Sequence, residues 1–155
     1  MATAARSDVR LDDTDKAIIR LLQEDGRMSY TDLSTEVGLS PAAVRQRVLH
    51  LIEERVMQVI AVTDPTRLGF DAQAMVGVRI EGDLEIPVEH LSKMSEVEYL
   101  VVTTGRFDLL ADILCEDSHH LLQVINRIRQ VQGVVTTEIF TYLDLRKQTY
   151  DWGVL

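Results

Sequence analysis

The stretch Ala42-Ala43-Val44-Arg45-Gln46-Arg47-Val48-Leu49-His50 holds a face suited to reading DNA. On a helical wheel of ~100° per residue, Val44, Val48 and Leu51 form one inward stripe, and Ala42 and Gln46 point directly away from it. Arg45 and Arg47 fall on opposite flanks, with Ala43 and His50 on the Arg47 side. Small residues at the front of such a helix permit close approach to a duplex, and a glutamine amide can pair bidentately with adenine in the major groove. Flanking guanidiniums reach the two phosphate rails. Ser29, Tyr30 and Ser40, at the starts of this helix and of the one before it, complete the candidate DNA-contacting set. A solvated surface helix would accept the same face. Arg47 could also brace the domain through an acid such as Asp32 or Glu36, which need not exclude a phosphate contact, and Leu49 suits interdomain or dimer packing better than base readout.

The second constellation is the turn Thr104-Gly105-Arg106-Phe107-Asp108. A carboxylate that opens a strand beside a glycine turn can bind both ends of an amino acid. Asp108 would take the α-ammonium, and backbone N–H groups with a nearby hydroxyl would take the carboxylate. A plain turn in which Asp108 accepts local N–H bonds is the competing reading. Thr136, Thr137 and Phe140 on the last strand extend the candidate effector surround, although threonine is also an ordinary strand former. Catalytic and metal sites are not expected. His50, His90, His119 and His120 form no ligand pattern, and neither a nucleophile motif nor a phosphate-binding glycine loop occurs. The single cysteine, Cys115, cannot form an internal disulfide and reads as a small core residue.

The elements that position these groups follow from caps and periodicity. Leu11-Asp12-Asp13-Thr14-Asp15 starts a helix with acids in its first turn, Ile18, Leu21 and Leu22 follow at helical spacing, and Asp25-Gly26-Arg27 stops it. Ser29, with Asp32 three residues on, starts a second helix that turns Leu33 and Val37 inward and ends at Gly38. Only Leu39 separates that glycine from the next cap, Ser40, and Pro41 occupies the first helical position. The third helix places Val44, Val48, Leu51 and Ile52 inward. Two short helices joined by so tight a glycine turn make a helix-turn-helix.

Beyond it, the β-branched segment 56–63 reads as a small wing or tether strand, and Asp64–Gly69 as turn and linker. Strands are expected at 72–80, 99–104, 108–115 and 134–142. Helices are expected at 87–94 and from a Ser118 cap to Gly133, with Leu121, Ile125 and Ile128 inward. The order β-α-β-β-α-β is that of the ferredoxin-like unit. The fold class is therefore α+β: an N-terminal, winged-helix-like helix-turn-helix domain over 1–63, then a ferredoxin-like βαββαβ domain over 64–155. The latter ends in a tail whose Tyr150 and Trp152 invite packing.

Composition agrees. At 155 residues the chain suits one mid-sized domain or two small ones, and 46% apolar with 26% charged residues is ordinary for a globular protein. Charges interrupt every apolar run well short of the ~18 residues needed to cross a bilayer, so no membrane association is expected. The first ten residues lack an apolar leader core, and the expected location is the cytoplasm. Net charge −9 argues against indiscriminate coating of nucleic acid. Residues 1–64 carry 8 basic against 11 acidic side chains and 65–155 carry 8 against 14, yet 38–52 contains no acid at all.

Several of these pieces also match known motifs. Leu11-Asp12-x-x-Asp15, Asp25-Gly26-Arg27, Leu33-Ser34, Val37-Gly38-Leu39-Ser40 and Val44-x-x-Arg47-Val48-x-x-Leu51 resemble the leucine-responsive/asparagine-regulator (Lrp/AsnC, feast/famine) transcription factors. So do Gly105-x-x-Asp108 and Gly133-Val134-x-x-Thr137-Glu138, and the match spans about 11–142. The resemblance implies a sequence-specific regulator whose DNA binding responds to a small molecule, an amino acid. It implies dimers formed through strands of the second domain, often octamers, on a pseudo-palindromic operator, with effector near subunit interfaces and no cofactor. By position, Gly105 and Asp108 match the family's effector-response turn, and Thr137 a threonine lining that site. Where the family often has a second threonine this chain has Ile139, which argues against a polar ligand side chain there. Where it usually has glycine after the recognition helix stands Arg55, for which a left-handed conformation would cost ~1 kcal/mol. Two other functions fit the fold. Siroheme decarboxylases are similar across both domains, and an architectural protein could compact DNA as an octamer without an effector.

Overall fold

The computed structural model describes residues 9–149, 153 and 154. Tyr150, Trp152 and most of the N-terminal stretch read as leaderless lie outside the described residues. The chain divides into two compact units. One comprises the helices before residue 63 together with the described tail residues from Lys147, and the other spans Thr63–Arg146. The described tail residues from Lys147, assigned from sequence to the second domain, thus group with the first, while Asp144–Arg146 stay with the second.

The first unit contains α1 (Asp13–Glu24), α2 (Tyr30–Val37) and α3 (Pro41–Glu53). Each begins where a side chain satisfies an orphan backbone donor. Asp12 and Asp15 make a reciprocal capping box, with the Asp15 N–H donating to Asp12 Oδ1 at 2.8 Å and the Asp12 N–H to Asp15 Oδ2 at 3.2 Å. The Asp32 N–H donates to Ser29 Oγ at 3.1 Å, and the Ala43 N–H to Ser40 Oγ at 3.2 Å. Gly38, at φ 69°, ends α2 in the left-handed conformation that glycine adopts without strain, and only Leu39 separates it from Ser40, the cap of α3.

Ile18, Ile19, Leu33, Val44, Val48 and Leu51 bury into one cluster, against which Val37, Val56 and Val154 pack. Ile52, expected inward, is 37% exposed. It lies ~100° around the wheel from Leu51, past the edge of a stripe that three short helices can cover. The exit from α3 runs through Arg55 at φ 58°, so the left-handed conformation is kept without glycine.

The segment 56–63 is not a strand. A strand exists through its pairing partner, and among the described residues this unit has no other strand. Val59, Ile60 and Val62 are left exposed.

The second unit opens with a 3-10 turn at Pro65–Leu68, capped by Asp64 and closed by Gly69. There follow β1 (Ala72–Ile80), α4 (Glu85–Leu91), β2 (Val97–Val102), β3 (Leu109–Cys115), α5 (Ser118–Arg129) and β4 (Val134–Thr141). The sheet order is β2-β3-β1-β4, antiparallel throughout, which is the ferredoxin-like arrangement. Asp117, not Ser118, caps α5, because its carboxylate is the group that reaches the His120 N–H, at 2.7 Å. Helix α4 begins two residues before the expected start, since Pro87 in its first turn needs no hydrogen-bond acceptor.

Strand alternation sends Ala74, Val76, Val78, Ala111 and Ile113 toward Leu91, Leu121, Val124, Ile125 and Ile128, and Cys115 is buried in the same core. The other face of the sheet carries the intervening residues and has no helix of its own unit upon it. Gly77, in mid-strand on that face, is where the Phe107 ring lies: a Cβ there would stand 2.6 Å from ring carbons. No helix among the described residues is long and apolar enough to cross a membrane.

Candidate functional site

On α3, Ala42, Arg45, Gln46 and His50 are exposed as the wheel requires, and Ala43 is half-buried. Tyr30 stands exposed at the start of α2. Ser29 and Ser40 are exposed too, but their hydroxyls already accept cap N–H bonds. Arg47 differs from its expected arrangement. Its Nη1 donates to Asp15 Oδ1 at 2.7 Å and to Asp12 Oδ2 at 2.8 Å, not to Asp32 or Glu36. These bonds to Asp15 and Asp12 push the guanidinium pKa up. The Asp12 carboxyl is held below the usual carboxylate range by the Asp15 N–H and then by Arg47. Arg47 therefore clamps the α1 capping box onto α3, with its side chain only 34% exposed, and Arg45 is the freer of the two arginines. The sequence missed this pairing because it depends on how α1 crosses α3.

The second site is the connection between β2 and β3. The Thr103 N–H donates to the Asp108 carbonyl at 2.9 Å, the Thr103 hydroxyl to the Phe107 carbonyl, and the Asp108 N–H to the Val78 carbonyl at 2.9 Å. Thr104, Gly105 and Arg106 form the exposed outer part of the loop so closed. A Cβ on Gly105 would meet nothing within 4 Å, so packing within this unit does not demand glycine there.

The Asp108 carboxylate accepts the Ile80 N–H at 2.7 Å through Oδ2, with Arg79 Nε 3.9 Å from the same atom. It is thus partly engaged by a strand 28 residues away in the chain, where the plain-turn reading expected local N–H bonds. Arg106 pairs with Glu138 at 3.0 Å and lies 5.4 Å from the Phe107 ring centroid. Phe107 meets Phe140 edge to face at 6.2 Å.

The two threonines of β4 separate. Thr136 pairs with Arg79 across the ladder on the uncovered face of the sheet, as Phe140 pairs with Met75. Thr137 turns to the helix side, where its hydroxyl accepts from Arg129 Nε at 2.9 Å. The structure therefore gathers Thr136, Phe140, Arg106 and Asp108 with Arg79, Phe107 and Glu138, and sets Thr137 apart. The sequence reading missed Arg79, and it named Phe107 and Glu138 only as members of the turn and of a motif, without a place in the site. The available signal was Gly77 between the β-branched Val76 and Val78 inside a strand, which marks a close approach.

A third feature lies on the helix side, where a cavity of about 490 Å3 is lined by Ile86, Glu89, His90, Lys93, Met94 and Arg127 among others. At its edge Glu96 accepts from Arg127, from Ser95 Oγ at 3.2 Å and lies 3.2 Å from His120 Nε2. Burial raises the Glu96 carboxyl, but Arg127, a backbone N–H and His120 outweigh it and hold the pKa at about 2. This carboxylate already has its partners and braces α5 against the start of β2.

Comparison with known proteins follows the same division. A family model described as the AsnC-type helix-turn-helix domain matches residues 11–52, and one described as the PF0864 C-terminal dimeric alpha+beta barrel domain matches residues 70–155. The chain is 33% identical over 148 residues to the uncharacterized HTH-type transcriptional regulator PH0140 of Pyrococcus horikoshii, covering 94% of this chain and 91% of that protein. It is 32% identical over 155 residues to the proline dehydrogenase transcriptional activator of Rhizobium radiobacter, covering 96% and 99%. Among solved structures, the regulator NMB0573 of Neisseria meningitidis in complex with L-Met superposes with a TM-score of 0.81 at 27% identity, over 91% of this chain and 95% of that one. The leucine response regulatory protein LrpA of Mycobacterium tuberculosis gives 0.81 at 27%, over 89% and 96%.

Proposed function

Because the chain belongs to the Lrp/AsnC family of helix-turn-helix transcriptional regulators, we propose that it reads a pseudo-palindromic operator through Gln46 and Arg45 of α3 and responds to a free amino acid held at the Asp108 turn. The observation that carries the DNA half is the outward face of α3. It presents Ala42, Arg45, Gln46 and His50 in an acid-free stretch of a chain whose net charge is −9. In this reading Gln46 pairs with a base edge, while Arg45 and the helix start position the domain on phosphates.

For the effector, Asp108 supplies the carboxylate that takes an α-ammonium group, and the exposed backbone around Gly105 with the Thr104 hydroxyl takes the α-carboxylate. The similar Neisseria regulator in complex with L-Met supports an amino acid as the ligand class. The family's C-terminal domain is dimeric, so two recognition helices address one operator. Further assembly to octamers and a cytoplasmic location belong to the same proposal.

A mobility shift on the protein's own upstream region, repeated with each amino acid, tests both halves. A shifted complex whose affinity one or a few amino acids change is the expected result. Binding that is indifferent to every amino acid would sink the sensor half and favour an effector-independent DNA-compacting role.

A further inference from the structure

Three carboxylates stand on the uncovered face of the sheet. Asp108 has Arg79 at 3.9 Å and Glu138 has Arg106 at 3.0 Å. The third, Asp112 at the middle of β3, forms no ion pair among the described residues and is held by neutral donors instead. Gln73 Nε2 lies 3.3 and 3.2 Å from its two oxygens, and the Tyr142 hydroxyl is a neutral neighbour. Around it on the same face lie Leu110 and Leu114 along β3, Met75 opposite on β1 and Tyr99 opposite on β2. Among the described residues, Arg79, Arg106 and Glu138 on this face are engaged in the pairs just named, and the exposed Glu98 adjoins Tyr99 at the irregularity of β2 and brings no positive charge to Asp112.

A half-buried carboxylate among apolar side chains, bonded only by neutral groups, has nothing to stabilise its charge once water leaves. Burial already pushes the Asp112 carboxyl up, Gln73 and Tyr142 only partly opposing it, and pushes the Tyr142 phenol up too. The family's domain is a dimeric barrel, and a sheet with helices on one side closes a barrel by covering its other side. That covering would take from Asp112 the water it still has.

We propose that dimerisation is proton-linked through Asp112: as two sheet faces close on each other, each copy takes up a proton at this side chain. The inference rests on the dimer forming through the uncovered sheet face. The sign follows from the order of the two states. The carboxyl is raised in the free chain and raised further in the dimer, so the dimer binds more protons between those two values. Association therefore strengthens as pH falls through that window, by at most about tenfold per pH unit for each copy, or about 100-fold for the pair.

Sedimentation of the full chain across a dilution series from pH 8 to pH 5 reads the dimer constant directly. Asp112→Asn keeps the size and the acceptor for Gln73 while removing the charge. It should dimerise at least tenfold more tightly than the parent at pH 7.5, and its pH slope should be flatter. Dilution calorimetry of the parent in two buffers of different ionisation heat should report proton release on dissociation that the Asn variant lacks. An equal slope in both proteins, or a weaker dimer in Asp112→Asn, would overturn the proton link, the latter by showing a cation of the partner at Asp112. Leu110→Glu separates the premise: a dimer undiminished by that change does not form through this face, and the inference falls with it.

Discussion

Replacing Gly77 by alanine tests the seat on which the turn proposed to hold the effector rests. Its backbone is not in the left-handed region, so alanine is conformationally allowed and only space is at issue. The added Cβ would lie 2.6 Å from Phe107 Cγ and Cδ2 and 2.7 Å from Cε2. Carbon contacts are comfortable from ~3.5 Å, so the ring must retreat by about 0.9 Å. It cannot do so alone. The Phe107 carbonyl is bonded by the Thr103 hydroxyl, the next residue's N–H is tied to Val78, and the ring edge meets Phe140.

Overpacking of this kind costs ~1–3 kcal/mol. In urea denaturation Gly77→Ala should therefore lose ~2 kcal/mol, and because Asp108 adjoins Phe107, amino-acid affinity should fall with it. In a Phe107→Ala background the same change should be neutral or gain up to about 0.5–1 kcal/mol, since alanine suits strands better than glycine. The coupling energy between the sites would then be ~2 kcal/mol or more. Equal costs in the two backgrounds would refute the reasoning, because the clash would not be with the Phe107 ring.

Arg45→Ala should weaken binding to all DNA sequences alike and flatten the salt dependence by about one unit of slope, measured by fluorescence anisotropy. Arg47→Ala should instead lower stability by about 1 kcal/mol, seen in thermal unfolding, because it opens the clamp on Asp12 and Asp15. Arg55→Gly should raise stability by ~1 kcal/mol by relieving a left-handed arginine, and an unchanged or lower midpoint would show that the strain is compensated locally. Asp108→Asn retains an acceptor for the Ile80 N–H and removes the charge. Calorimetric titration should show amino-acid affinity reduced by one to two decades, corresponding to ~1.5–3 kcal/mol, with effector-free DNA binding nearly unchanged.

Much of this protein was legible in its sequence, for a physical reason. Helix starts are decided by side chains reaching backbone donors within three residues, so Asp12, Ser29 and Ser40 announce α1, α2 and α3 by themselves. Burial along one element follows its own period, so the inward stripe of α3 and the alternation of β1 and β3 were also local properties. The outward position of Gln46 and Arg45 follows from that stripe.

What sequence distance hides is set by how elements cross and pair. Arg47 lies 35 and 32 residues from Asp12 and Asp15, and only the packing of α1 on α3 turns a candidate phosphate contact into a clamp. Thr136 and Thr137 are adjacent in the chain, but the pleat sends one to each face of the sheet. Gly77 and Phe107, or Asp112, Gln73 and Tyr142, meet only through strand register. The segment 56–63 has strand composition and no strand, because hydrogen-bonded pairing is a property of two chain segments and cannot be written into one.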